Sequence, residues 1–349
     1  MVRQGLKVCL VTLTPSFIGD QDLCERVSRL MPSQVYRVDV RTLKRGRLKI
    51  DALRSPPKHI REYYEYCLHS LLDCANHVSE DKHFQLLWSP GGLNPRNPNQ
   101  ALPTVLLQVE QTIVAEGGRD IGQAPLSRVQ LPGSNTQYYA RLPGNLNMFA
   151  KAAAVIDYSL PNIANILDSE LREYYKEKAF YIAPLRRADY KTPRFSPKRN
   201  TRVLTVMTKP ARNERRAIVL DSLESQGVKF RHVRNRFKTL SRLRKSHRLL
   251  LNLGQTSHHH TFPELRILPA LLDGMLVLSE DLPCRDEVPY GDYVSFSKTE
   301  SLGDRLAFLQ ENYSACWNSV FAPDEFPALV KVLECSNREN FRQIIEKIP

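Results

Sequence analysis

The chain has 349 residues, 42% of them hydrophobic and 25% charged, and its 50 Lys and Arg against 37 Asp and Glu give a formal charge of +13. This is the composition of a globular protein of about two domains, and it excludes a mostly disordered chain. No stretch approaches the roughly 18 apolar residues of a membrane helix, and the 7 scattered cysteines hold no Cys-x-x-Cys pair, which argues against a disulfide scaffold or zinc finger and for the reduced thiols of a cytoplasmic protein.

The opening run KVCLVTL (7–13) reads as a buried strand and not as a signal peptide. A helix is expected over 20–31, with Leu23, Val27 and Leu30 on one face. A strand follows at 35–43, helical spacing at 58–78, and strands at 84–90 and 103–111. Residues 117–145, rich in Gly, Pro, Asn and Gln, read as a long surface loop. The run 152–159 is a helix end or short strand, a helix starts near Pro161 and Asn162, and 178–185 is a strand. The basic, Pro-containing stretch 186–200 reads as a linker, and after it the alternation restarts: strands at 201–208, 228–233, 248–254 and 275–280, helices at 213–226, 237–246 and 262–273. At the end of the chain, Leu329, Val332, Leu333, Phe341, Ile344 and Ile345 recur at helical spacing, with a break expected near Ser336-Asn337. This grammar predicts an α/β chain of two Rossmann-like domains facing across a cleft, with ligands at the carboxyl ends of the strands.

The charge is concentrated. Residues 186–248 carry 20 Lys or Arg and 4 Asp or Glu, so the rest of the chain sums to about −3. Such a region suits an anionic partner, or a solvated basic face. Within 249–283 a strand runs into His258-His259-His260 and then a helix begins near Pro263 and Glu264. A helix N-terminus is a ready phosphate site. Glu264 in its first turn can accept hydrogen bonds from two ribose hydroxyls, or merely complement the helix dipole. Three consecutive histidines point in different directions, so they suit contact with a phosphate or sugar, His260 included, better than a metal site.

Four segments resemble one family in sequence order. LLQVEQ (106–111), AAAVIDYSLPNIANIL (152–167), NERRAIVLDSLESQGVKF (213–230) and the stretch 249–283, with its strand, Asn252, Glu264-Leu265-Arg266-Ile267 and Leu-Val-Leu-Ser-Glu, are similar to GT-B glycosyltransferases of the glycosyltransferase-family-1-like group of bacterial and viral polysaccharide clusters. The resemblance implies an N-terminal acceptor domain (1–185), a linker (186–200), a C-terminal nucleotide-sugar donor domain (201–325) and terminal helices (326–349) that cross back to the N-terminal domain. It implies donor contacts from Asn252 and Arg266 beside Glu264 and His260. The implied reaction moves a sugar from a nucleoside-diphosphate sugar to a glycan or other hydroxyl acceptor, with no resident cofactor.

In such a reaction, negative charge grows on the departing diphosphate and needs a metal or fixed cations. The expectation is metal-independent transfer, with Lys209, Arg212 and Arg215 meeting the diphosphate beyond the strand that ends at Thr208, and Arg216 as a further candidate. Glu110 and Asp157, near predicted strand ends, are candidates for the base that takes the acceptor proton; Asp157 with Asn162 could instead brace the inter-domain segment. Two other readings stay open: a nucleic-acid-binding protein using 186–248, which lacks aromatic interleaving and known motifs, and a catalytically silent scaffold.

Overall fold

The computed structural model describes residues 36–37, 39–88, 95–96, 101–115, 126–129, 131, 137–142, 146–187, 190–207, 215–233, 240–254 and 261–349. The predicted elements at 7–13 and 20–31 lie outside them.

Two main sheets organise the chain. The first runs in the order Ala179–Tyr181, Ala154–Asp157, Thr104–Gln108, Lys82–Trp88, Leu48–Leu53, Val40–Arg45. It is parallel except for the pairing of its last two strands. Its central strands are near-continuous apolar runs because both faces are covered; all of Thr104–Gln108 is buried. Helix Arg61–Asp73 turns Tyr63, Tyr64, Cys67, Leu68 and Leu71 inward. The second sheet runs Phe230–Val233, Val203–Val206, Leu249–Asn252, Leu276–Glu280, Ser295–Ser297 and is parallel throughout. Helices Arg215–Ser225, Leu240–Ser246 and Glu264–Leu272 alternate with its strands. The protein is thus a mixed α/β chain of two Rossmann-like domains, as its alternation predicts.

Three expectations need correction. Leu48–Leu53, not read as a strand, pairs antiparallel with Val40–Arg45 through the two-residue turn Gly46-Arg47. Gly46 sits at φ +55, which a hairpin of this length requires and glycine adopts without strain. The supposed surface loop 117–145 contains strands Leu126–Val129 and Tyr138–Arg141, which join Ile113–Ala115 in an antiparallel three-stranded sheet.

The third correction concerns the chain end. Residues 325–346 form one unbroken helix, Glu325–Glu346, with no interruption at Ser336-Asn337. Asn337 lies on its buried stripe with Phe326, Val330, Leu333, Phe341 and Ile344, whereas Val332 faces solvent at 63% exposure. The polar residue is tolerated there because its amide is fully paired. Its Oδ1 accepts from the Ala183 N–H at 2.9 Å, and its Nδ2 donates to Ala183 O and Tyr66 Oη, each at 2.9 Å. Phe341 meets Tyr66 edge-on at 6.0 Å.

A buried ion network also joins the two halves. Arg244, 2% exposed, donates through Nε to Asp273 at 2.8 Å and through Nη2 to both oxygens of Glu62 at 3.1 Å. Arg186 donates to the other Asp273 oxygen at 2.7 Å and to Pro269 O at 2.6 Å. Many cations of the basic segment are therefore engaged inside the fold. Arg199 holds the carbonyls of Asp273 and Gly274, and Arg248 that of Pro197.

Candidate functional site

The carboxyl ends of the second sheet's strands carry a cluster of arginines. Helix Arg215–Ser225 follows strand Val203–Val206, so its first residues lie at that edge. Arg215 forms a two-pronged ion pair with Glu280, the last residue of Leu276–Glu280, with one bond at 2.9 Å, and donates to Thr299 Oγ1 at 3.1 Å. Glu280 also accepts from Thr299 at 2.7 Å and from the Gly254 N–H at 2.6 Å. Burial alone would raise its pKa, but the bonds from Arg215, Thr299 and Gly254 hold it below the usual carboxylate range. Arg216, 8% exposed, caps the end of the neighbouring strand by donating to Leu253 O at 2.9 Å and Gly254 O at 3.1 Å.

Arg266, on helix Glu264–Leu272, reaches the same edge and donates to Asn252 Oδ1 at 2.8 Å. Asn252 Nδ2 in turn donates to Ser279 Oγ at 2.9 Å, tying adjacent strand ends together. Desolvation, and then the charge of Arg216, lower the Arg266 pKa to about 10, which still leaves it cationic at neutral pH. Three guanidinium groups thus gather at two strand ends with Glu280 as the carboxylate paired among them.

Glu264 behaves differently from the sequence expectation. It is fully buried, and its Oε2 accepts from Tyr181 Oη of the first sheet at 3.1 Å and from Tyr290 Oη at 2.9 Å. Burial pushes its pKa up to about 8, against opposing hydrogen bonds from Tyr290, Ser159 and Tyr181. The side chain is then mostly neutral at pH 7 and has no solvent-facing surface. In this geometry it bridges the two domains and does not present a charged acceptor to a ribose.

Asp157, at the end of Ala154–Asp157, is likewise fully buried. Its Oδ2 accepts from Tyr175 Oη at 2.8 Å, and its Oδ1 accepts from Asn162 Nδ2 at 3.1 Å and the Ser159 N–H at 3.0 Å. Burial raises its pKa to about 7 despite these bonds. Both oxygens are occupied, so the geometry favours the brace and not the base. Asn162 continues the network: the Thr112 hydroxyl donates to its Oδ1, while Thr261 Oγ1 accepts from the backbone of Thr112 and Ile113 at 3.0 and 3.1 Å.

Glu110 lies just beyond strand Thr104–Gln108 and is half-buried, with its N–H and carbonyl steadied by the Gln108 side chain. Burial raises its pKa and the Arg141 charge opposes the rise. Among the described residues its carboxylate accepts no hydrogen bond. Tyr158 is fully buried beside Asp157, and burial first, then the neighbouring carboxyl groups of Asp157, Glu264 and Glu110, push its pKa well up.

Lys209, Arg212 and His260 lie outside the described residues. So does Asp20-Gln21-Asp22, an Asp-x-Asp triplet of the kind that can hold a divalent metal. Among the described residues no group of three or more His, Cys, Asp or Glu is placed to hold a metal, and no helix is long and apolar enough to cross a membrane. Sequence reasoning missed Tyr181, Tyr290, Thr299 and Glu280 as members of this site. The strand-ending Glu280 was the one carrying a signal, its place at the carboxyl end of an apolar run.

No family model and no curated protein matches the chain. Solved structures share its course loosely. A TarM structure has a TM-score of 0.37 at 10% identity over 81% of this chain and 55% of that one. A GtfA/B complex has a TM-score of 0.42 at 8% identity over 81% and 61%. A mutant of S. aureus TarM in complex with Fondaparinux, alpha-GlcNAc-glycerol and UDP has a TM-score of 0.39 at 12% identity over 80% and 57%. The chain spans a little over half the length of each. The fold itself stands on the two sheets described above.

Proposed function

We propose that this protein is a glycosyltransferase that takes a sugar from a nucleoside diphosphate and transfers it to a hydroxyl acceptor. One observation carries the reading: Arg215, Arg216 and Arg266 converge at the carboxyl ends of Leu249–Asn252 and Leu276–Glu280, where ligands collect in parallel sheets, on the side where Glu264 meets the other domain. The four segments that resemble GT-B enzymes support the same reading.

The chemistry follows from that arrangement. An acceptor hydroxyl attacks the anomeric carbon, its proton passes to a carboxylate, and the bond from that carbon to the β-phosphate oxygen breaks. The leaving diphosphate takes the electron pair, and the arginines meet the charge as it develops without reorganising. Glu110 is the proposed base, because it is only half-buried and its carboxylate accepts no hydrogen bond among the described residues, where Asp157 is sealed. Fixed cations let the reaction run without a divalent metal. Arg266 touches the strand end directly and is the residue to remove.

Calorimetric titration of UDP, GDP, TDP and CDP into the full chain and into Arg266→Ala tests this. One nucleotide should bind, and the variant should bind it roughly tenfold or more weakly. A folded protein that binds none of the four, or a variant with unaltered affinity, would overturn the assignment. Retention of sugar transfer in EDTA tests the metal-independent course separately.

A further inference from the structure

The basic linker packs onto the second domain. Pro193 lies against Gly274, where an added Cβ would stand 2.5 Å from the proline Cβ. Gly274, at φ +70, ends helix Glu264–Leu272 in a Schellman turn, with Met275 N–H bonded to Ala270 O and Gly274 N–H to Leu271 O. Beside this contact, between the linker, helix Leu240–Ser246 and the terminal helix, is a pocket of about 700 Å³.

Its lining is unbalanced in charge: five cations against Asp273 and Glu334. Asp273 is already matched by Arg186 and Arg244. Arg186 and Arg199 are engaged as described. The other three lining cations, Lys191, Arg194 and Lys245, are exposed and have no acid or hydrogen-bond acceptor among the described residues. Tyr190 forms part of the wall, and its solvent-shielded hydroxyl has no hydrogen-bond partner among the described residues.

The pocket is not the arginine site seen from behind. Arg199 precedes strand Val203–Val206, Lys245 precedes Leu249–Asn252 and Asp273 precedes Leu276–Glu280. In a parallel sheet these are all amino ends, at the edge opposite Asn252 and Glu280.

We propose that this pocket is a second anion site, for a small molecule carrying two or more phosphate groups. Three cations that bond no acid among the described residues, against Glu334 as the one other acid of the lining besides the engaged Asp273, surround a concavity of ligand size and favour a compact multivalent anion. Tyr190, edge-on to Phe326 at 6.1 Å, is the one aromatic residue among the described lining, whereas single-stranded nucleic acid is held on successive stacking faces. A bound anion would connect the linker to Lys245 of the second domain and so stabilise the seating of the linker. The inference is independent of the proposed transferase activity.

The test is calorimetric titration of inorganic tripolyphosphate into the full chain, into Lys191→Ala/Arg194→Ala/Lys245→Ala, into Arg266→Ala, and into a control, Lys44→Ala/Lys176→Ala/Lys229→Ala, that removes equal charge elsewhere. The pocket triple variant should lose roughly tenfold or more in affinity while melting like the parent without ligand. Binding to the pocket should persist in Arg266→Ala, and the control should keep its affinity within about twofold. A folded parent that binds no tripolyphosphate, a pocket variant with unchanged affinity, or a control that loses as much as the pocket variant would overturn the proposal. Loss in Arg266→Ala alone would do the same, by assigning the binding to the strand-end arginines.

Discussion

Tyr181 and Glu264, 83 residues apart, share a hydrogen bond of 3.1 Å between the last strand of the first sheet and the first turn of a helix in the second domain. Tyr290 bonds the same oxygen. Glu264→Ala leaves both hydroxyls buried and unpaired beside a cavity, and should cost about 2–4 kcal/mol. Glu264→Gln retains an acceptor oxygen and should stay within about 1 kcal/mol of the parent. Urea denaturation of the two variants measures the difference; equal losses would show that the hydrogen bonds do not matter there.

The pH dependence of stability follows from the same burial. Folded-state values of about 8 for Glu264 and about 7 for Asp157 lie above the 4.5 and 3.8 of free carboxyl groups. The native state therefore keeps protons that the unfolded state has released. This contribution is fully present below the unfolded values and is lost as pH rises through 7 to 8. The melting temperature of the parent should fall relative to that of Asp157→Asn/Glu264→Gln between about pH 5 and pH 8.5. A parent that gains on the variant over that range would contradict the assignment.

In the ion network, the two acids should respond unequally. The Asp273 side chain is 1% exposed and pairs with two arginines, so Asp273→Ala strands buried charge and should cost roughly 3–5 kcal/mol. The Glu62 side chain is 50% exposed, and solvent screening should keep Glu62→Ala below about 1 kcal/mol. Chemical denaturation of the single variants reads this asymmetry, and its absence would refute it.

Asn337→Leu keeps the volume of a buried helix position but removes the partner of both Ala183 backbone groups and of Tyr66. A loss of about 2–4 kcal/mol is expected. Limited proteolysis should also cut the variant sooner around the terminal helix. A variant as stable as the parent would mean that the amide pairing is incidental.

Glu280→Gln should release Arg215 from its ion pair and take a negative charge away from the arginine cluster. If a diphosphate binds there, its affinity should rise roughly three- to tenfold, with greater sensitivity to salt. Weaker binding would instead assign Glu280 a direct ligand contact.

Much of the fold was legible because the cause was local. The central parallel strands read as short apolar runs between turn residues, and Leu249–Asn252 and Leu276–Glu280 stand where those runs fall. Strand Leu48–Leu53 had a local signal too, since its first residues alternate as a half-buried strand does and Gly46 marks the turn before it. The three-stranded sheet was hidden by a Gly-, Pro- and Asn-rich composition, since its pairing connects Ile113–Ala115 with residues more than twenty positions away. At Ser336-Asn337 helix propensity argued for a break, and Ala183 and Tyr66, far away in the chain, removed the reason for one.

The site divides the same way. Strand order placed Arg215 beyond the end of a parallel strand, and the family resemblance implied Asn252 and Arg266; the three share one edge because the carboxyl ends of such strands do so whatever else surrounds them. The state of each group depended on tertiary packing. Glu280 engages Arg215 from 65 residues away, Asp157 is enclosed by Tyr175 and Asn162, and Glu264 is neutralised by burial between two tyrosines. A side chain's chemistry belongs to its own residue, but its desolvation and its partner are supplied by whatever the folded chain brings within a few ångströms. That is why the sequence named the candidates and only the packing separated the engaged groups from the available ones.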